Sequence, residues 1–219
     1  PDTPRNEGSY RSVTVSAPEG CILNPTFPAP VNARQLTGHL LAAAIYDCLA
    51  QAVPNKVIAE CGGAPTMRSV YSGVDREGNR FSQIFFASGG MGASPVADGH
   101  SCTAFPTNSG SGSIEAFESL APLVVWKKEF RTDSGGAGQY MGGLGQDVEI
   151  EVTAEDTIRL SMMSDRQKYA AKGLLDGRKG AKVEIMKSDG TRPHQKARST
   201  LDPGERLTLR FGGGGGYGR

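Results

Sequence analysis

The sequence predicts an α+β fold that is rich in β-structure, with layered mixed or antiparallel sheets and a few packed helices. Three observations support this fold class. Most strand-like runs fall in the second half of the chain, while one long helical pattern falls in the first half. Glycine accounts for 30 of 219 residues, roughly twice its usual share of about 7%, and most of the excess follows strand-like runs. A chain of this length can bury a sizeable core.

The first part of the chain combines an extended segment with a helix. Residues 1–30 are rich in Pro, Asn and Gly around one short strand candidate at 13–17, which predicts an extended segment lying across another surface. Asn32 is a suitable N-cap for a helix that Pro54 ends. His39 lies opposite the apolar stripe of this helix, so we expect a solvated or capping histidine. The stripe has a 3.6-residue period and consists of Leu36, Leu40, Leu41, Ala44, Ile45, Cys48, Leu49 and Ala52.

The middle of the chain predicts a hairpin, a long loop and a short helix. The strand candidates 69–74 and 81–88 flank a polar connection that contains glycine. A polar, glycine-containing loop follows over 88–110, and loops of this length in compact domains are usually functional or disordered. The short helix at 113–120 begins at a serine cap and ends before Pro122.

The remainder of the chain is mostly β-structure. A helix is predicted at 164–172, because Ser164 and Gln167 form a capping box and Gly173 follows the last turn. The strand candidates are 123–131, 147–152, 157–163, 181–187 and 206–211.

Composition suggests a division into two regions. Residues 1–122 form a region of extended segment, helix and hairpin, and residues 123–219 form a β-rich carboxy-terminal region with glycine loops. The alternative is one continuous domain of a larger subunit. Both ends of the sequence look cut, so we expect a piece of a longer polypeptide.

Charge and cysteine usage exclude several classes of function. The net charge is +1 with acidic and basic residues interspersed, which argues against a nucleic-acid or membrane surface. The longest apolar run, 40–45, is far too short to span a membrane. The four cysteines are widely spaced without a CxxC pair, so we expect reduced thiols in a cytoplasmic protein and neither a zinc nor a redox motif.

Two glycine-rich motifs are the most informative features. Residues 132–145 read TDSGGAGQYMGGLG and residues 211–218 read FGGGGGYG. Such density predicts glycines with positive φ or a very close approach of the backbone to another group. It suggests backbone N–H groups presented to a ligand or a packed partner, the alternative being tight connections without chemistry. The candidate substrate- or interface-binding residues are Asp133, Ser134, Gly135, Gly136 and Gly138.

A catalytic constellation is not evident from the residues alone. Asp98 and His100 are weak catalytic candidates, because they share the only long polar loop that holds both an acid and an imidazole. The DSGG run at 133–136 lacks the context of a trypsin-like nucleophile. Gly136-x-Gly138 fails as a dinucleotide fingerprint, and no GK[ST] phosphate loop occurs. No cluster predicts a metal site.

Several segments together resemble one family, the hydantoinase B/5-oxoprolinase group, which includes the large subunits of acetone and acetophenone carboxylases. They occur in the family's order and cover essentially the whole chain. The segments are 1–34, 97–102 (ADGHSC), 114–123 (IEAFESLAPL), 132–145 and 211–218. Two departures are Met141, where the family commonly has Arg, and a longer spacing at 108–115.

The resemblance implies a carboxy-terminal fragment of a larger B-type subunit. It implies a divalent metal in the amino-terminal half, which this chain lacks, and ATP in a hydantoinase A-type partner subunit or fused half. A cytoplasmic hetero-oligomer that acts on a small molecule follows from these features. The implied chemistry is activation of a ring amide or ketone by phosphorylation, followed by attack of water or a carboxylating species.

Three hypotheses follow. The leading one is part of an ATP-dependent cyclic amide hydrolase of the hydantoinase or oxoprolinase type, inactive as a fragment. The second is part of an ATP-dependent acetone or acetophenone carboxylase. The third is a non-catalytic assembly domain whose glycine loops dock the partner subunit.

Overall fold

A computed structural model describes residues 6–31, 34–63, 67–107, 109–194 and 196–219. The chain divides into two compact units, residues 1–37 and residues 38–219. The predicted N-cap, Asn32, lies outside the described residues.

Among its described residues, the first unit contains one short helix, α1 (Glu7–Tyr10), followed by irregular backbone as far as residue 34. The Asn6 side chain caps α1 by accepting a hydrogen bond from the Ser9 N–H at 3.1 Å. The strand predicted at 13–17 is wrong, since these residues have no ladder partner. A strand forms only where a neighbour satisfies its backbone groups, and the described part of this unit supplies none.

The second unit begins within α2 (Gln35–Leu49), whose last turns lead to a 3₁₀ turn at Pro54–Lys56. The helix is therefore present as predicted, but it ends before Pro54. The prediction for His39 is wrong: its side chain is partly buried and its Nδ1 is shielded from solvent. No helix in the described part of the chain is long and apolar enough to cross a bilayer.

Among the described residues, eight strands form two antiparallel sheets. The first sheet has the order β2-β1-β5-β7 and the second has the order β3-β4-β8-β6. The strands are β1 (Met67–Val74), β2 (Arg80–Ala87), β3 (Leu123–Phe130), β4 (Gln146–Val152), β5 (Ile158–Met163), β6 (Glu184–Lys187), β7 (Arg198–Leu201) and β8 (Arg206–Arg210). The predicted α+β, β-rich fold class is confirmed. Strands from both sides of residue 122 pair in the first sheet, so the two predicted regions share it.

One hydrophobic core receives side chains from both sheets and from α3 (Ile114–Ser119). In β4, Val148, Ile150 and Val152 are buried while the intervening acids are partly exposed, as the alternating pattern predicts. Phe117 of α3 packs edge-on against Tyr71 and Phe85, with ring centroids 6.0 and 5.2 Å apart. The sheets thus provide a rigid base for the loops described next.

The segment after β5 is not the helix predicted at 164–172. Arg166 has φ 63°, in the left-handed region that an α-helix cannot accommodate. The Ser164 hydroxyl donates to the Asp165 carbonyl at 3.3 Å rather than capping a helix. The backbone beyond Tyr169 instead runs as an extended segment that joins the glycine-rich part of the molecule.

Candidate functional site

Glycine-rich segments form a bundle of extended backbones beside the second sheet. Residues 212–218 run through the middle of this glycine bundle, and they hydrogen-bond to the segments 59–63, 89–93, 134–145 and 171–181. The Gly136 N–H donates to the Gly214 carbonyl at 2.8 Å, and the Gly214 N–H donates to the Gly143 carbonyl at 2.9 Å. The remaining segment, 98–102, bonds to Met91 and to residues 141–144. Hydrogen bonds between its own segments therefore hold the bundle together.

Close approach between backbones explains the glycines. A Cβ at Gly142 would collide with the Gly214 carbonyl, and a Cβ at Gly136 would collide with the Arg178 carbonyl. The prediction that several glycines between 135 and 145 have positive φ is wrong, since none of them does. No side chain fits between these backbones, so glycine is required, as it is at the crowded axis of the collagen triple helix.

Ser134 locks the loop that precedes the bundle. Its buried hydroxyl donates to the Arg131 carbonyl at 2.6 Å and accepts from the Gly145 N–H at 2.8 Å. Asp133, by contrast, is exposed and has φ 56°. Of the five predicted binding residues, Asp133 is therefore exposed, while Ser134 closes the loop over residues 131–145.

Arg131 is a buried cation that the sequence reasoning missed. Its guanidinium donates to the Lys182 and Phe211 carbonyls at 2.6 and 3.2 Å and to the Glu184 carboxylate at 2.6 Å. These contacts tie the end of β3 to the start of β6 and to the beginning of residues 211–218. The five donors of an arginine suit such convergent carbonyls. Arg131 therefore anchors the glycine bundle to the second sheet.

The predicted catalytic candidates lie at the edge of the bundle. Asp98 is exposed, and its Oδ1 accepts a hydrogen bond from the Met141 N–H at 2.7 Å. The His100 side chain is exposed, while its carbonyl accepts from the Met91 N–H at 2.9 Å. The structure thus brings the loop that contains Asp98 into contact with residues 134–145, through the hydrogen bond from the Met141 N–H. His100 and Asp133 remain free to face a ligand or a neighbour.

A second polar site lies between α2 and the segment after β5. An open cleft of about 440 Å³ runs along α2, within the size range of small-molecule pockets. Its polar lining consists of Asp47, Glu60, Asp165, Arg166, Lys168 and Tyr169. A neighbouring cavity of about 30 Å³, lined in part by His39 and Cys61, has room for a water molecule.

A partly buried ion pair organises this cleft. Glu60 Oε2 lies 2.9 Å from Arg166 Nη1 and also accepts the Lys172 backbone N–H at 2.8 Å. Arg166 Nε is shielded from solvent and has no partner among the described residues. Sequence reasoning missed the pair because its members are 106 residues apart. The capping-box pattern around Ser164 also favoured a helix there.

Two cysteines, the buried Cys61 and the partly buried Cys102, are poor nucleophiles. Burial raises the pKa of the Cys61 thiol to about 11, although the Gly92 N–H bonded to its sulfur at 3.4 Å opposes the shift. Burial also raises the pKa of Cys102 to about 11. The thiolate is the reactive form of cysteine, so both side chains are inert thiols at neutral pH.

The described residues do not fit a metal ion. Among them, no three His, Cys, Asp or Glu side chains come close enough together to hold one. The acids of the cleft are engaged with Arg166, Lys172 and the Lys196 ammonium, which lies 2.9 Å from Asp165. No step that needs a metal is therefore assigned to the described part of this chain.

Comparisons with known proteins agree with this architecture. The putative D-/L-hydantoinase B subunit of Pseudomonas sp. (strain NS671) is 30% identical over 226 residues, which span 98% of this chain and 37% of that protein. The beta subunit of the caprolactamase of Pseudomonas jessenii is 32% identical over 229 residues, 98% of this chain and 39% of that protein. The chain thus spans about two fifths of the length of these relatives.

A solved structure shares the fold. The crystal structure of ATP-dependent caprolactamase from Pseudomonas jessenii superimposes with a TM-score of 0.83 at 28% identity, over 99% of this chain and 40% of that one. The family model described as hydantoinase B/oxoprolinase matches residues 1–219. The chain therefore belongs to the hydantoinase B/oxoprolinase family.

Proposed function

We propose that this chain is part of the B-type subunit of an ATP-dependent enzyme that hydrolyses cyclic amides. The observation that supports this most strongly is the agreement with an ATP-dependent caprolactamase across 99% of the chain in three dimensions. Relatives named as the B subunit of a hydantoinase and the beta subunit of a caprolactamase point to the same substrate class. Both names also describe subunits, which supports a hetero-oligomer with an A-type partner.

The family resemblance implies a division of labour between this chain, the rest of a family-length subunit and a partner. No metal cluster lies among them, and the sequence contains no GK[ST] phosphate loop. We assign ATP to the A-type partner, and a divalent metal to the amino-terminal half of a family-length subunit. ATP supplies activation of the ring amide by phosphorylation, which makes it open to attack by water. ATP dependence also favours a cytoplasmic location.

This chain contributes a rigid wall to the substrate cavity. The exposed groups at the edge of the glycine bundle, Asp98, His100 and Asp133, border that cavity in our proposal. Asp98 and Asp133 belong to segments that hydrogen bonds fix in place, so their positions change little between substrates. Such preorganisation orients a bound substrate without an energetic cost at the moment of reaction.

The experiment is turnover by the full-length subunit together with its A-type partner. Hydantoin, 5-oxoproline and caprolactam are offered with ATP, and acetone and acetophenone are offered with ATP and bicarbonate. We expect ATP-dependent ring opening of at least one cyclic amide. Carboxylation of a ketone without amide hydrolysis would show a carboxylase instead. An intact complex that turns over none of these substrates would contradict the proposal and favour an assembly role.

A further inference from the structure

The outer side of α2 has the composition of an interface. α2 buries none of its residues. Leu41, Ile45 and Leu49 recur at four-residue spacing on one side of the helix and are 37%, 47% and 43% exposed. Cys48 lies on the same side of the helix and is exposed as well. These four residues are called the outer face of α2.

The orientation of α2 is the reverse of what an isolated domain requires. Its inward side uses small and polar residues, among them His39, Ala43 and Tyr46, which line the 30 Å³ cavity. Its only acidic residue, Asp47, pairs with Lys172 at 3.3 Å. A surface helix ordinarily turns its apolar stripe to the core and its polar side to water. Three large apolar side chains of α2, those of Leu41, Ile45 and Leu49, are turned outward, whereas Leu40 lines the open cleft. The outer face is therefore an uncharged strip of the kind that marks interfaces.

Family-length relatives contain protein that could cover this strip. The matched region is 37% of one relative and 39% of another, so about three fifths of their length lies outside it. The described part of the first unit also exposes apolar side chains, since Val15 and Phe27 are 88% and 93% exposed. An extended segment that buries so little apolar surface cannot offset the entropy of its own ordering. Both regions therefore fit surfaces that further protein supplies.

We propose that the outer face of α2 docks the part of a family-length B-type subunit that lies outside residues 1–219, within the same polypeptide. The contacting surface of that part is apolar and uncharged, to match Leu41, Ile45 and Leu49. This inference depends on membership of the family and on the length of its members, and it does not depend on which amide is hydrolysed. A failure of the turnover experiment would leave it standing, and the reverse also holds.

Thiol labelling of Cys48 tests the proposal. The folded family-length subunit, purified without its partner, and the 219-residue chain are treated with a maleimide, and labelling at each cysteine is followed by mass spectrometry. We expect Cys48 to react at least about tenfold more slowly in the family-length subunit, because a covered thiol reacts only after local opening. An introduced Glu155→Cys, on an exposed polar bend, is the control and should react fast in both. Cys61, buried within the second unit, should stay unlabelled and so report that the chain is folded.

Each other result would overturn the proposal. Fast labelling of Cys48 in the family-length subunit, equal to that of Glu155→Cys, would show an uncovered face. Protection already present in the 219-residue chain would mean that its own residues 6–31 cover α2. Protection that needs the A-type partner, or that disappears on dilution, would assign the face to the partner or to a second copy. If the 219-residue chain does not fold alone, the comparison of Cys48 with Glu155→Cys in the family-length subunit decides.

Discussion

The glycine bundle and α2 differ in how completely this chain buries them. In the bundle, carbonyls and N–H groups of several segments meet directly, and residues 211–218 are fully buried. In α2, a regular helix of 15 residues leaves all of them at least partly exposed. The bundle is complete within this chain, whereas α2 is complete only with a neighbour. Regular secondary structure therefore does not indicate which part of a chain can bury itself without a neighbour.

The largest effect should come from a single methyl group in the bundle. Gly142→Ala places a Cβ against the Gly214 carbonyl, and neither backbone can yield without breaking hydrogen bonds. We expect a loss above the roughly 1–3 kcal/mol of ordinary overpacking, or failure to fold. Urea unfolding followed by circular dichroism measures it. Gly112→Ala is the matched control, since nothing lies within 4 Å of its Cβ. A similar small change for both variants would break the comparison.

A smaller loss should follow from Ser134→Ala. The change removes the hydroxyl that bridges the Arg131 carbonyl and the Gly145 N–H, and leaves both without that partner. We expect the free energy of unfolding to fall by about 1–3 kcal/mol. Thr132→Ala, two positions away and exposed, should change it by less than about 0.5 kcal/mol. Equal effects of the two changes would mean that the loop is not locked by Ser134.

At the edge of the bundle, the expected effect is on activity rather than on stability. Asp98→Asn retains an oxygen that can accept from the Met141 N–H, and His100→Ala alters an exposed side chain. If this edge borders the substrate cavity, kcat of the full complex should fall by about tenfold or more in at least one variant, at an unchanged melting temperature. Near-native turnover in both variants would remove these residues from the proposed site.

The smallest expected effect is a dependence of stability on alkaline pH. The pKa of the Cys61 thiol is raised from 9.0 to about 11, chiefly by burial. Between these values the folded chain keeps a proton that the unfolded chain releases, so the free energy of unfolding falls as pH rises from about 9 to about 11. Cys61→Ala should flatten this fall, as thermal melts across that range would show. Cys48→Ala, on an exposed thiol, is the control and should leave the slope unchanged.

Local patterns predicted every strand of the two sheets except β7, because a strand with one buried and one exposed face is visible in the sequence. Val148, Ile150 and Val152 are an example. The helix predicted from Ser164 was wrong because a capping box says nothing about Arg166, whose left-handed backbone is held by contacts with Glu60 and Val183. The 3.6-residue periodicity also predicted α2, but it could not show which side of the helix packs against the rest of the protein.

The candidate site was predicted only in part, for a physical reason. Glycine density pointed to residues 132–145. Glycine is used both where φ is positive and where two backbones approach closely, and the sequence alone does not show which of these applies. Ser134 and Asp98 are where the sequence suggested, in or beside this segment. Arg131 and the pair of Glu60 with Arg166 depend on partners distant in the chain, which no local pattern contains.

Hydrogen exchange of the 219-residue chain and of the family-length subunit, measured peptide by peptide, tests the central claim most directly. If the bundle is complete and α2 is not, amides within 134–145 and 211–218 should exchange equally slowly in both proteins. Amides of residues 40–53 should exchange about tenfold or more slowly in the longer protein, because docking suppresses local opening. Bundle amides that become protected only in the longer protein, together with an unchanged α2, would contradict the account.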